Sequence, residues 1–311
     1  MKNSMETYRK DMLPARAQHP RNGDPDNIRV LFYHRIGPER PACETTGVTI
    51  ARDTFRRHLE LLEQWGYSTI TFQDYALYCQ GALSLPRKPV IITFDDGYRD
   101  VFTYAYPVMR EFGMRGVVFV LGSRSIRTNE WDRGISPVYE LLREEEILEL
   151  HEAGFEIGAH SMHHVRLTGV AESESWNELY EARIGLEILL NAPVRTLSYP
   201  YGLANEAIKQ MARDAGYTIA CGAFTGPPIF GSDHLEVRRI RMNDSKSRIA
   251  FWFQLQSVYV HYRWLWWLMK KALQGTLHAF RRRMHGGART AQAPEAPEDV
   301  HYQMEHRETG T

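Results

Sequence analysis

Cysteine is scarce in this chain. The 311 residues hold three, Cys43, Cys79 and Cys221, widely spaced and without a Cys-x-x-Cys pair. An odd number at such spacings argues against a disulfide framework and against a cysteine zinc site. Long hydrophobic runs are missing too. The opening MKNSMETYRKDMLPARAQHP has no apolar run of signal-peptide length. The most apolar stretch, Phe251 to Met269, is interrupted by Gln254, Gln256, His261 and Arg263, which makes it a poor membrane span. There is no internal repeat. Hydrophobic residues make up 43% and charged residues 24%, which excludes a disordered chain and a collagen. The expectation is a soluble, cytoplasmic protein.

Net charge is absent as well, with 38 basic residues against 38 acidic ones. The balance hides an asymmetry. Between Ser245 and Pro294 there are nine Lys or Arg and no Asp or Glu, which leaves the remainder with 29 basic and 38 acidic residues, a net charge of −9. Four of the seven tryptophans, Trp252, Trp264, Trp266 and Trp267, lie in that basic stretch. An acidic body therefore carries a basic, aromatic arm.

Short apolar runs alternate with helical spacing along the body. Strands are expected at Arg29–His34, Pro89–Phe94, Gly116–Leu121, Phe155–Ala159, Arg195–Tyr199 and Tyr217–Cys221, with one more at Val237–Ile240. Helices are expected at Phe55–Trp65, Arg99–Phe112, Glu140–Ala153, Glu172–Asn191 and Ala204–Ala215. This alternation predicts parallel βα units, with the chemistry on the loops that follow the strands. The expected division is a loose lead-in over 1–26, a βα body over 27–244, a helical arm over 245–285 and a disordered tail over 286–311.

Polar residues gather at those strand ends. One strand closes with Thr93-Phe94-Asp95-Asp96-Gly97. Two adjacent carboxylates repel, and a bound cation or a shared proton is the usual compensation; Asp-Asp-Gly is also good turn chemistry. Another closes with His160-Ser161-Met162-His163-His164. On one helical turn His160 and His164 would face the same side, and His163 competes as the second ligand. Two imidazoles and a carboxylate form a hydrolytic metal set with open positions; a polar surface turn is the plainer reading. A third strand closes with Ser198-Tyr199-Pro200-Tyr201-Gly202, a tight turn that can aim a backbone N–H at a developing oxyanion or serve only as a connection.

Together these residues resemble the polysaccharide deacetylase family of metal-dependent carbohydrate esterases. The matches are Thr93-Phe94-Asp95-Asp96-Gly97, the H-[ST]-x-x-H frame from His160 to His164, and Tyr199-Pro200-Tyr201-Gly202. The opening Leu31-Phe32-Tyr33-His34 resembles members from exopolysaccharide and lipid-linked glycan clusters, and the likeness covers roughly residues 28–243. The resemblance implies a distorted (β/α) barrel, usually of seven parallel strands, and a divalent metal, often zinc. It implies Asp96, His160 and His164 as ligands, with the H-[ST]-x-x-H frame favouring His164 over His163. Asp95 would be the base that activates water, and the backbone N–H of Tyr201 would hold the oxyanion. Tyr199, Pro200 and Arg99 are the expected substrate-binding residues.

Two departures stand out. Many members have an Arg where this chain has Tyr199, and the late motif that supplies the usual general-acid histidine is not recognisable in residues 222–250. His34, at the end of the first strand, is the substitute candidate, with a buried structural imidazole as its alternative; His234 beside Asp233 is weaker. The expected activity is removal of an N-acetyl or O-acetyl group from an amino sugar in a polysaccharide or lipid-linked glycan precursor. The competing class is a catalytically silent carbohydrate-binding relative, although Asp95, Asp96, His160 and His164 are all retained. Nucleic acid is not an expected partner, since the arm has no reader motif and the body is acidic. The arm, residues 251–283, is expected either to lie on an anionic membrane or to pack on the barrel.

Overall fold

The computed structural model describes residues 27–39, 41, 47–245 and 247–284, with side chains described as far as Lys270. The expected lead-in over 1–26 and tail over 286–311 lie outside the described residues, as does Cys43.

Among the described residues ten strands form: β1 (Arg29–Tyr33), β2 (Arg35–Gly37), β3 (Thr49–Ala51), β4 (Ser68–Thr69), β5 (Pro89–Phe94), β6 (Val117–Val120), β7 (Glu156–Ala159), β8 (Thr196–Ser198), β9 (Ile219–Cys221) and β10 (Ile240–Arg241). Eight helices accompany them: α1 (Arg52–Gln64), α2 (Phe72–Cys79), α3 (Tyr106–Glu111), α4 (Glu144–Glu152), α5 (Glu172–Leu190), α6 (Glu206–Asp214), α7 (Arg248–Gln254) and α8 (Ser257–Met284). Seven strands make one sheet in the order β10-β1-β5-β6-β7-β8-β9, and every pairing is parallel. The short β4 pairs alongside β5, and a single parallel bridge between Cys221 and Val237 links the sheet's two ends. This is the curled seven-stranded βα barrel that the alternating pattern predicts.

The local reasons are visible in the strands. β5 reads PVIITF and is buried along its whole length, the near-continuous apolar run of a strand covered on both faces. β6, reading VVFV, is the same. All seven strands run the same way, so their C-terminal ends open on one face. His34, Asp95-Asp96, His160 and Tyr199 follow β1, β5, β7 and β8 there.

Some expectations shift. The helix predicted over Arg99–Phe112 begins as a π turn, Val101–Ala105, before α3. The predicted Glu140–Ala153 helix starts only at Glu144, because Glu140 and Leu141 form bridges with Thr128 and Tyr98. α2 was not expected; its start is set by a capping box between Thr71 and Asp74.

The boundary between body and arm also moves. Phe251, Leu255 and Val260 are buried in the main barrel core rather than in a separate arm. His58 of α1 stacks on Phe251 with ring centroids 4.3 Å apart. It donates from Nε2 to the Ser245 carbonyl (3.2 Å) and accepts at Nδ1 from the Tyr33 hydroxyl (3.0 Å). Buried Arg29 donates to the Leu255 carbonyl (2.9 Å) and to the Ser257 hydroxyl (2.7 Å). Residues up to Val260 therefore pack as part of the barrel, and beyond them Arg238 still lies over the Trp267 ring (5.8 Å).

Candidate metal centre and active site

Asp96, His160 and His164 converge. The Nε2 atoms of His160 and His164 lie 3.0 and 3.2 Å from Asp96 Oδ1, and all three side chains are buried. One potential ligand atom from each residue falls within 4.8 Å of the others. The convergence does not come from the helical turn expected for residues 160–164. That segment is an irregular loop in which Ser161 and His164 take positive φ (58° and 60°). Asp96 (φ 68°) and Tyr201 (φ 61°) are also left-handed, so four of the five non-glycine residues described with positive φ ring this site. Strained backbone of this kind persists where the surroundings over-determine it. At Gly97 (φ 67°) an added Cβ would sit 3.0 Å from the Val120 side chain, so the turn that carries both aspartates needs glycine.

The donor set suits a divalent cation. His160 Nδ1 lies 2.8 Å from the Ser198 carbonyl and must donate to it. A neutral His160 then directs the Nε2 lone pair at a carboxylate oxygen. Two acceptors at 3.0 Å need a proton or a cation between them. Ligands about 2.0 Å from a tetrahedral ion lie about 3.3 Å apart, close to the spacings here. Burial alone would push the Asp96 carboxyl up; with the imidazoles protonated at Nε2, their hydrogen bonds instead hold it well below the usual range. Burial would also lower His160, yet its bond to Asp96 and the two aspartate charges raise it; His164 is lowered by burial despite the same carboxylate. The His164 ring stacks on Trp131 (4.2 Å) and meets the edge of Tyr201 (4.9 Å).

His163 turns away. Its ring is half exposed and its Nδ1 lies 2.6 Å from Glu178 of α5. Glu178 also accepts from the backbone N–H groups of Met162 (3.0 Å) and His163 (2.8 Å), so one buried carboxylate pins the loop that presents His164.

Asp95 has a partner not anticipated from the sequence. Arg239, buried just before β10, makes a two-pronged pair with it: Nη1 to Oδ1 at 2.7 Å and Nη2 to Oδ2 at 2.8 Å. The Ser198 hydroxyl donates to Oδ2 (2.7 Å). Burial pushes Asp95 up, but the Arg239 charge and hydrogen bonds outweigh it and keep the carboxyl below its usual value. A carboxylate has about four lone-pair positions; three are occupied, so one on Oδ1 remains to accept a proton. Arg239 itself stacks on Phe32 (3.8 Å) and donates to the Gly222 carbonyl (2.8 Å).

His34 lies at the same mouth, tilted against Phe32 (4.5 Å). Burial pushes it down to about 4, against the pull of Asp96 and Asp95. Three expected substrate-binding residues are placed differently. Tyr199 is fully buried, its hydroxyl donating to the Leu235 carbonyl (3.0 Å), so it is a core residue. Pro200 is buried at the start of the short turn that carries Tyr201. Arg99 is held by Glu146 (2.8 Å) and Glu140 (2.6 Å), which ties the start of the π turn to α4 and its approach. His234 hydrogen-bonds Tyr75 (3.2 Å) on α2. A cleft of about 560 Å³ shares Arg239 with Asp95 and runs past Arg241 towards Tyr259 and Arg263 of α8.

Comparison with known proteins agrees with this geometry. Residues 82–220 match the family model "Polysaccharide deacetylase". That span contains both aspartates and the histidine loop but neither His34 nor Arg239. YxkH of Bacillus subtilis (strain 168), whose name assigns it to the polysaccharide deacetylases, is 26% identical over 236 residues, 75% of this chain and 78% of its own length. A poly-beta-1,6-N-acetyl-D-glucosamine N-deacetylase of Staphylococcus aureus (strain MRSA252) is 21% identical over 205 residues, 60% of this chain and 68% of its own. Among solved structures, the Streptococcus pyogenes deacetylase PplD in complex with acetate superposes with a TM-score of 0.63 at 21% identity, covering 75% of this chain and 100% of that one. IcaB from Ammonifex degensii gives 0.62 at 24%, covering 76% and 97%. Both share the fold.

Proposed function

We propose that this chain, whose residues 82–220 match the polysaccharide deacetylase family model, belongs to that family and removes an N-acetyl or O-acetyl group from an amino sugar in a polysaccharide or a lipid-linked glycan precursor. The observation that carries the reading is the buried Asp96, His160 and His164 cluster beside an Asp95 clamped by Arg239, all at one mouth of the parallel barrel. The named relatives, which include an N-deacetylase of poly-N-acetylglucosamine, support the substrate class.

Asp96, His160 and His164 would hold a divalent metal, with zinc favoured by two imidazoles and one carboxylate. When bound, it would polarise the acetyl carbonyl and acidify water. The rest of the chemistry falls to the chain. Asp95, kept ionised and oriented by Arg239 and Ser198, accepts the proton of the attacking water on the remaining lone pair of Oδ1. The backbone N–H of Tyr201, in the turn that starts at Pro200, would donate to the carbonyl oxygen as it gains charge. His34, left neutral by burial, would relay to the departing amine or alcohol the proton that Asp95 takes from water. Trp131 stacks on His164 (4.2 Å) and walls that side of the site.

The test is acetate release from acetylated glucosamine oligomers, β-1,6- and β-1,4-linked, by the wild type and by Asp95→Asn. The wild type should release acetate. The variant should keep its metal and lose about 10²-fold or more in rate. Oligomer binding with no acetate release by metal-loaded wild type would instead support a silent carbohydrate-binding relative.

A further inference from the structure

We infer that the outward face of α8 is a docking surface for an anionic lipid bilayer, on which the helix lies flat. Val258, Tyr262, Leu265 and Met269 are 70, 58, 53 and 62% exposed. Their 4-3-4 spacing puts them within about 60° of one another around a helix of 3.6 residues per turn. Val260, on the opposite side, is buried against the barrel. The helix thus has one apolar stripe covered by its own protein and a second with nothing described over it. A contiguous exposed apolar face marks an interaction site.

Charge identifies the occupant. The stretch from Ser245 to Pro294 has nine cations and no carboxylate, while the rest of the chain is net −9. Flanking the stripe, Trp266 lies under Lys270 (3.5 Å) and Arg263 (5.3 Å). A tryptophan beside snorkelling cations suits the headgroup level of a membrane. Pairing stripe to stripe with a second copy would set two all-cationic helices against each other, whereas an anionic surface neutralises them. The acidic body would be repelled by that surface, which orients the molecule with the arm inward. Among the described residues no helix is long and apolar enough to cross a membrane, so α8 would lie on the bilayer rather than span it. The root of the helix is fixed to the barrel by Arg29 and His58, so a docked arm would hold the barrel at a set height and angle.

The experiment is co-sedimentation of the full chain with vesicles of phosphatidylglycerol and phosphatidylcholine, against pure phosphatidylcholine. Binding should need the anionic lipid and weaken as salt shortens the reach of the charges. Each cation near such a surface is expected to contribute about fivefold, so Lys270→Gln with Lys271→Gln should weaken binding about 25-fold. The stripe variant Tyr262→Ser, Leu265→Ser, Met269→Ser should lose at least tenfold while its thermal unfolding stays close to that of wild type, because more than half of each side chain is already exposed. Equal binding to both vesicles, binding to neither, or wild-type binding by the stripe variant would overturn the inference. So would a wild-type dimer, seen by sedimentation, that the stripe substitutions abolish, since the stripe would then belong to a second copy. Vesicle binding is read without turnover, so its failure leaves the deacetylase reading standing, and the converse holds.

Discussion

Replacing Arg239 by methionine should damage this protein more than removing any surface charge. Arg239 and Asp95 are 2% exposed each, and the guanidinium supplies two of the three hydrogen bonds that the carboxylate accepts. Arg239→Met leaves a buried carboxylate with only the Ser198 hydroxyl. Breaking a buried pair on one side costs about 3–5 kcal/mol. For a barrel of this size each kcal/mol lowers Tm by roughly 2–4 °C, so a fall of about 6–20 °C is expected. The pH dependence has a definite sign. In the wild type Asp95 is held below its unfolded value, so it stabilises the fold above that value and the contribution is lost as pH falls through the folded one. In the variant, burial is opposed only by the Ser198 hydroxyl and the neighbouring histidines, so the carboxyl rises; stability is then lost as pH increases. The gap between the two proteins should therefore be widest at neutral pH and narrow in acid. Asp95→Asn combined with Arg239→Met removes both charges and should recover most of the loss. Thermal melts followed by circular dichroism at pH 7 and 5 measure all of this. A single variant within about 1 kcal/mol of wild type, or a double variant no better than the single, would refute the reasoning.

Other consequences can be checked singly. His164→Ala should strip divalent metal, while His163→Ala should keep it, because His163 faces Glu178 rather than Asp96; metal analysis of both variants decides. Glu178→Ala frees three donors of the histidine loop and should weaken metal affinity about 10–100-fold, with Glu178→Gln intermediate; unchanged affinity in titration calorimetry would show that the loop holds itself. Burial pushes His58 down to about 4 from an ordinary value near 6.5, so its contribution is present above pH 6.5 and fades as pH falls towards 4. His58→Gln should flatten that part of the stability curve in denaturant titrations.

Much of the site could be read in the sequence because parallel βα folds put their chemistry on the loops after strands. The runs ending at Phe94, Ala159 and Ser198 each lead into a polar cluster, and the fold brings Asp96, His160 and His164 together from two of them. The means of convergence could not be read. Left-handed turns at Asp96, Ser161 and His164 are set by tertiary packing, and the helical spacing of the two histidines suggested a turn that does not form. Arg239 escaped notice because its partner lies 144 residues away and a lone arginine beside a short strand carries no local pattern. Tyr199 looked available beside Pro200, but its side chain points inward to the Leu235 carbonyl. The burial of the first residues of the aromatic stretch could not be read for a similar reason. Phe251, Leu255 and Val260 have the composition of the whole aromatic stretch, and only the barrel surface distinguishes them from Tyr262 or Leu265.

The most direct test joins metal to turnover. The purified chain is stripped with a chelator and titrated with zinc, and bound metal and acetate release from an acetylated glucosamine oligomer are followed together. The account predicts one ion per chain, with acetate release rising in step until that single site is filled, and neither in His164→Ala. Acetate release by the fully stripped chain, or a full complement of metal in His164→Ala, would contradict it.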